Sequence, residues 1–298
     1  RRTKIIKIYY GFMKYVKYFT QFLLAITCFL MFKIFGANLS SNLSGKIFEF
    51  IGPFFRSKKL IKENIKKAMP DIDQVNLNKI INLMWNNYGR IFAEYMFIKN
   101  YRFGKLKENI EIEGQEILDD IKNKNKQVVF FSGHLSNFEL MAQCIEKSGI
   151  KLCAVYRPLN NIFLNLIMER IREKYICRNQ IKKGIGGLKR LTQLKKENYS
   201  SAIMIDQRVS EGVLSNFFNQ KALTTTIPAQ LIKKFKISAV PVYIERVENI
   251  KFKISIKEPI IFEEKSTIQD ITDELNRVLE KMIMKRPEQW IWSHNRWK

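Results

Sequence analysis

The chain has 298 residues, with 52 Lys plus Arg against 28 Asp plus Glu, a formal net charge of +24. Its 46% hydrophobic and 12% aromatic content can bury a large core, which excludes a disordered basic tail, and its length suits one large α/β domain or two small ones. The charge is unevenly placed: residues 1–67 hold 14 basic side chains and two acidic ones, so half of the excess lies in under a quarter of the sequence.

From Tyr18 to Gly45 only Lys33 is charged, and Phe19 to Phe32 reads FTQFLLAITCFLMF. A membrane span needs about 20 apolar residues; a stretch this short, with Lys33 at its end, also suits an interfacial segment or a signal peptide, but no convincing small-residue cleavage site follows it. Residues 1–45 are therefore expected to be a retained anchor. Basic residues lie on both sides (Arg1, Arg2, Lys4, Lys7, Lys14 and Lys17 before; Lys46, Arg56, Lys58, Lys59 and Lys62 after), so the positive-inside rule sets no direction. Both flanks suit an anionic leaflet, at about 1 kcal/mol per basic residue, and a half-inserted, monotopic anchor fits that symmetry as well as a full span.

Residues 60–125 read as helical, with Pro70 as a break. Beyond them, apolar β-branched runs (Val128 to Phe131, Leu152 to Tyr156, Ala202 to Ile205, Ala239 to Ile244, Phe252 to Ile256) alternate with helical patterns near 138–148, 161–176, 184–197, 226–236 and 268–285. That alternation predicts an α/β sheet. No internal repeat or Pro/Gly/Ser linker divides 46–298, which is expected to be one domain.

Cys28, Cys144, Cys153 and Cys177 lack CxxC spacing and a neighbouring His. Reduced thiols are expected, with neither a disulfide framework nor a metal site. Two histidines exist, His134 and His294. His134 follows an apolar strand and precedes a helix, in VVFFSGHLSNFEL, where an α/β sheet exposes reactive side chains. Glu139 lies close enough for the chain to fold its carboxylate back onto the imidazole, which would fix the ring's tautomer and stabilise the imidazolium. A second reading stands beside it: Ser136 and Glu139 spell S-x-x-E, a helix capping box. Ser132 lacks the G-x-S-x-G nucleophile elbow, which favours direct transfer over an acyl-enzyme.

With its H-x4-E spacing at His134 and Glu139, the chain resembles the lysophospholipid acyltransferase-like superfamily and, more narrowly, the bacterial late lipid A biosynthesis acyltransferases, the lauroyl and myristoyl transferases acting on Kdo-lipid IVA. Further blocks carry the resemblance over nearly the whole chain: ENIKKAMPD, WNNYGRIFAEYMF, YRPLNN with Arg157, MIDQR with Asp206 and Gln207, FFNQKALTTT, and the terminal PEQWIWSHNRWK. One departure is Asn219, where the family usually has Gly; if that position needs positive φ, Asn is the next best residue and the turn is retained.

The resemblance implies a central mixed sheet flanked by helices, in a glycerolipid-acyltransferase-like fold. It also implies transfer of a fatty acyl group from acyl carrier protein to a hydroxyl of the Kdo-modified lipid A precursor. His134 would be the general base and Glu139 would orient it. Arg157 would stabilise the thioester oxyanion or hold an acceptor phosphate, and Asp206 would order the site or pair Arg157. No cofactor or metal is implied. The partners would be acyl carrier protein, the phosphorylated saccharolipid and an anionic membrane, with the catalytic domain on the cytoplasmic side of a bacterial inner membrane. The segment of Trp290, Trp292, His294, Arg296 and Trp297 reads either as a headgroup patch or as a C-terminus docked on the core. Another glycerolipid or glycolipid acceptor is the alternative within this chemistry. A membrane-tethered nucleic-acid-binding protein is the alternative outside it, and the absence of an RNP motif, zinc spacing or helix-turn-helix weighs against that reading.

Overall fold

The structure, a computed structural model, describes residues 2–298, with side chains described from Phe12 onward except that of Ile185. Five helices come first: α1 (Arg2–Phe35), α2 (Ala37–Ile51), α3 (Lys58–Ala68), α4 (Gln74–Glu94) and α5 (Ile98–Phe103). Then follow β1 (Ile110–Glu113), α6 (Gln115–Asn123), β2 (Val128–Ser132), α7 (Glu139–Lys147), β3 (Leu152–Tyr156), α8 (Ile162–Tyr175), β4 (Asn179–Lys182), α9 (Ile185–Lys196) and β5 (Ser200–Met204). The rest of the chain forms β6 (Val213–Phe217), β7 (Gln220–Thr224), α10 (Ile227–Phe235), β8 (Ser238–Glu248), β9 (Lys251–Ile256) and α11 (Ile268–Lys285).

Seven strands make one sheet in the order β1-β9-β8-β2-β5-β3-β4, flanked by helices. Only the β8–β9 pair is antiparallel, so the sheet is mixed, as expected. The central strand β2 (VVFFS) is buried along its whole length, as a parallel strand covered on both faces must be. The helix expected to run through residue 125 is interrupted by β1, whose four residues alternate between half-buried and exposed and pair with β9. A four-residue edge strand is too short to leave a readable period. The β6–β7 hairpin also escaped the sequence reading. Its two-residue turn puts both Phe218 (φ 52) and Asn219 (φ 57) in the left-handed region, so the turn is kept with Asn in place of Gly.

The α1 segment from Phe12 to Phe35 is long and apolar enough to cross a membrane, and few of its side chains are covered by the rest of the protein. The chain breaks at Gly36, with φ +78, rather than at the composition boundary of residue 45. Residue 45 falls inside α2, which packs along α4 as part of the folded body. Ser44 Oγ donates to the Gly89 carbonyl at 2.6 Å and Ser41 Oγ to Glu94 Oε1 at 2.7 Å. A Cβ on Gly89 would lie 2.2 Å from the Ser44 carbonyl oxygen, so this approach requires glycine. Glu94, fully buried, also pairs with Arg246 of β8 and accepts from Asn137 Nδ2 at 3.0 Å. This network joins α2, the sheet and the segment that carries His134.

The C-terminal segment is docked on the core: Trp290, Trp292 and Arg296 are all buried. Arg296 donates to the Leu223 carbonyl at 2.8 Å and Thr224 Oγ1 at 2.6 Å, with its guanidinium over the Phe217 ring. Asn64 Nδ2 binds the carbonyls of Trp292 and His294 at 2.8 and 2.9 Å. The alternative of a Trp-rich headgroup patch is excluded for these buried rings.

Candidate active site

Strand register builds the centre of the site. β2 and β5 are parallel neighbours with Ser132 opposite Met204. Two residues beyond those partners, on the same ends of the two strands, lie His134 and Asp206. Asp206 Oδ1 is 2.7 Å from His134 Nδ1, while Oδ2 accepts from the His134 backbone N–H at 2.7 Å and from Trp290 Nε1 at 2.9 Å. Asp206 is 2% exposed, so these bonds replace the water that would otherwise solvate it. A carboxylate only accepts, so Nδ1 carries the proton and Nε2 presents its lone pair. Gln207 Nε2 lies 3.4 Å from that nitrogen.

Burial works against the imidazolium, but the charge and hydrogen bond of Asp206 outweigh it, and the pKa of His134 is raised above its ordinary 6.5. Asp206 moves the other way: burial favours its neutral form, yet the bonds from His134 and Trp290 hold it below the usual carboxylate range. The pair is thus a more basic imidazole kept in one tautomer by an ionised carboxylate.

Glu139 neither reaches the imidazole nor caps a helix. It is the first residue of α7, whose N-terminus has no side-chain cap, and its Oε1 accepts from Arg172 Nε at 2.9 Å. Arg172, on α8, is a permanent and nearly buried cation that outcompetes the imidazole for the carboxylate. Its guanidinium also faces the Tyr156 ring at 5.4 Å. Glu139 still acts on His134 at longer range, as a second negative charge that favours the imidazolium.

His134, Glu139 and Gln207 line a cavity of about 810 Å³. Apolar side chains from four helices form much of its wall: Phe29 of α1, Phe48 of α2, Ile91 and Phe92 of α4, and Leu164 and Met168 of α8. Its charged lining is lopsided. Arg56, Arg157, Arg172 and Lys183 face a single carboxylate, Glu139, which Arg172 already engages. Arg157 follows β3, is exposed to the cavity, and does not pair with Asp206; neither it nor Lys183 has an ion-pair partner among the described residues. His294 also lines the cavity. Burial lowers its pKa, and its neutral Nε2 accepts from the Arg208 backbone N–H at 3.0 Å.

Sequence reasoning missed Arg172, Lys183 and Trp290 as parts of this site. Trp290 lies in the PEQWIWSHNRWK motif, whereas Arg172 in the last turn of α8 and Lys183 after a short edge strand carry no local signal. Among the described residues, no three His, Cys, Asp or Glu side chains converge to hold a metal ion.

A His–Asp pair beside a large, mostly apolar cavity with excess positive charge suits general acid–base chemistry on an amphipathic, anionic substrate. The sequence matches the model of the bacterial lipid A biosynthesis acyltransferase family over residues 11–298, and the chain belongs to that family of acyl-transferring enzymes of lipid A synthesis. It is 23% identical over 194 residues to the Shigella flexneri protein named lipid A biosynthesis acyltransferase 2, a match covering 63% of this chain and 60% of that one. It is 21% identical over 247 residues to the lipid A biosynthesis myristoyltransferase of Escherichia coli (strain K12), covering 81% and 75%. The lauroyltransferase of the same strain is 23% identical over 251 residues, covering 82% and 79%.

Proposed function

We propose that the enzyme transfers a fatty acyl group from acyl carrier protein to a hydroxyl of the Kdo-modified lipid A precursor, at a bacterial inner membrane with the catalytic domain facing the cytoplasm. His134 is the general base. Its Nε2 takes the acceptor hydroxyl's proton as that oxygen attacks the thioester carbonyl, and Asp206 stabilises the imidazolium so formed. When the tetrahedral intermediate collapses, the C–S bond breaks and the imidazolium returns its proton to the departing thiolate. No residue is acylated. General-base assistance of this kind contributes roughly 10²–10⁴ in rate.

The observation that carries this reading is the pairing of His134 with Asp206 on the wall of the cavity. The excess cations support the choice of substrates. Arg157 and Lys183 suit a phosphate of the acceptor, and Arg157 suits the thioester oxyanion as an alternative. The apolar wall suits acyl chains, and the positive surface suits an acidic carrier protein.

The test is purified enzyme with acyl-loaded carrier protein and either Kdo-lipid IVA or lysophosphatidate, with products read by mass spectrometry. Acylation of the saccharolipid is expected. Activity only on lysophosphatidate would overturn the acceptor assignment, and near-normal turnover by folded His134→Ala would overturn the mechanism.

A further inference from the structure

Helix α2 is turned inside out. The face it packs on α4 carries Ser40, Ser41, Ser44 and Gly45, all buried, while the opposite face carries Leu39, Leu43, Ile47 and Phe50, all exposed. Those four repeat at helical spacing, and Phe50 is 76% exposed. The chain then turns through Gly52–Phe54 with Phe54 82% and Phe55 66% exposed. Elsewhere the same chain obeys the ordinary rule: α11 buries Ile271, Leu275, Leu279, Met282 and Ile283. An apolar stripe of this size on a water-facing helix marks contact with another apolar phase.

Charge identifies the phase. Lys46, Arg56, Lys58, Lys59 and Lys62 adjoin the stripe and the turn, and among the described residues only Lys59 has an acidic partner, Glu63, at 4.0 Å and solvent-exposed. The acidic residue within the stripe's own helix, Glu49, is engaged by Asn86. Apolar side chains bordered by unpaired cations match the headgroup boundary of an anionic bilayer. Gly36 joins α2 directly to the end of α1, where Leu30, Met31, Ile34 and Phe35 are also exposed.

We propose that α2 and the Gly52–Phe54 turn form a second membrane contact, separate from the α1 anchor, that seats in the headgroup boundary of an anionic bilayer and holds the mouth of the His134 cavity at that depth. Phe48 of α2 and Arg56 after the turn both line that cavity, as does Phe29 of α1. The elements that meet lipid are therefore walls of the site, and an amphipathic substrate enters it sideways from the leaflet. The inference does not depend on the acyl-transfer reading, because it concerns depth and not chemistry.

The experiment uses the full chain with Cys28→Ser, reconstituted in vesicles of phosphatidylethanolamine and phosphatidylglycerol. An environment-sensitive fluorophore is attached at Phe50→Cys or Phe54→Cys, with Ile34→Cys on α1 as the buried-in-lipid control and Val75→Cys, exposed at the start of α4, as the aqueous control. Bromolipids are expected to quench the Phe50 and Phe54 labels at least threefold more than the Val75 label, and iodide to do the reverse. Iodide access equal to that of the Val75 label would overturn the proposal. So would protection from iodide without bromolipid quenching, because a second protein copy would then cover the face. Lys58→Glu, Lys59→Glu and Lys62→Glu together should cut bromolipid quenching at Phe54 by about half, and no change would overturn the anionic part of the inference.

Discussion

The ends of β2 and β5 and the α1–α2 segment treat water in opposite ways. At the strand ends, charged groups are taken out of water and paired: Asp206 with His134 and Trp290, Glu139 with Arg172. In α2, small polar groups are turned inward and large apolar ones outward. The first region needs fixed dipoles around one imidazole, which only a rigid sheet supplies. The second needs close backbone approach on one side and a lipid-compatible surface on the other. The cavity lies where they meet, with the imidazole on one wall and Phe29 of α1 and Phe48 of α2 on another.

The largest expected effect breaks the first region. His134→Ala should reduce transfer by about 10²–10⁴-fold with an unchanged circular dichroism spectrum. Asp206→Asn should cost up to about 10⁴-fold in kcat and also move the pH profile. Catalysis needs the neutral imidazole, so in the wild type the acid limb of kcat/KM should lie above 6.5, because His134 is raised above that value. With the carboxylate gone, burial becomes the largest influence, ahead of the opposed charges of Glu139 and Arg172, and the limb should move down in pH. A limb that stays in place would show that Asp206 does not tune the base.

Glu139→Gln sharpens the contrast between the two carboxylates. It leaves Arg172 nearly buried without its counter-charge, at a cost of about 3–5 kcal/mol, so a lowered Tm is expected with a smaller loss of kcat than for Asp206→Asn. A larger kcat loss than Asp206→Asn with normal stability would reverse the two roles. Gly89→Ala tests the second region: it forces α2 away from α4 and should destabilise by about 1–3 kcal/mol in a denaturant titration. Arg157→Ala should have the smallest effect, a several-fold rise in the KM for the phosphorylated acceptor with kcat nearly kept. A dominant fall in kcat would place Arg157 on the oxyanion instead.

Much of this molecule was legible along the chain because it rests on local pattern. The apolar stretch before Gly45, the β-branched runs of the core strands, and His134 between a strand and a helix are each visible within a dozen residues, and the anchor and the α/β class follow from them. The positive φ of Asn219 could also be read, from a motif and the steric tolerance of Asn. Short edge strands such as β1 and β4 have too few residues to show a period. Residue 45 falls inside α2, because composition records apolarity and not which face is buried, and α2 turns its apolar residues outward.

The carboxylate that serves His134 is the clearest case of what tertiary structure decided. Glu139 was the near candidate in sequence, but a cation on α8 holds it. Asp206, 72 positions away, reaches the ring because β5 lies beside β2 in parallel register, and strand order depends on which packing of the whole chain buries the most apolar surface. The sequence by itself determined which family's chemistry the chain carries and that its N-terminal helix is long and apolar enough to cross a membrane. Only the packed sheet determined which acid holds the base, and only the packing of α2 on α4 determined which face is left for the membrane.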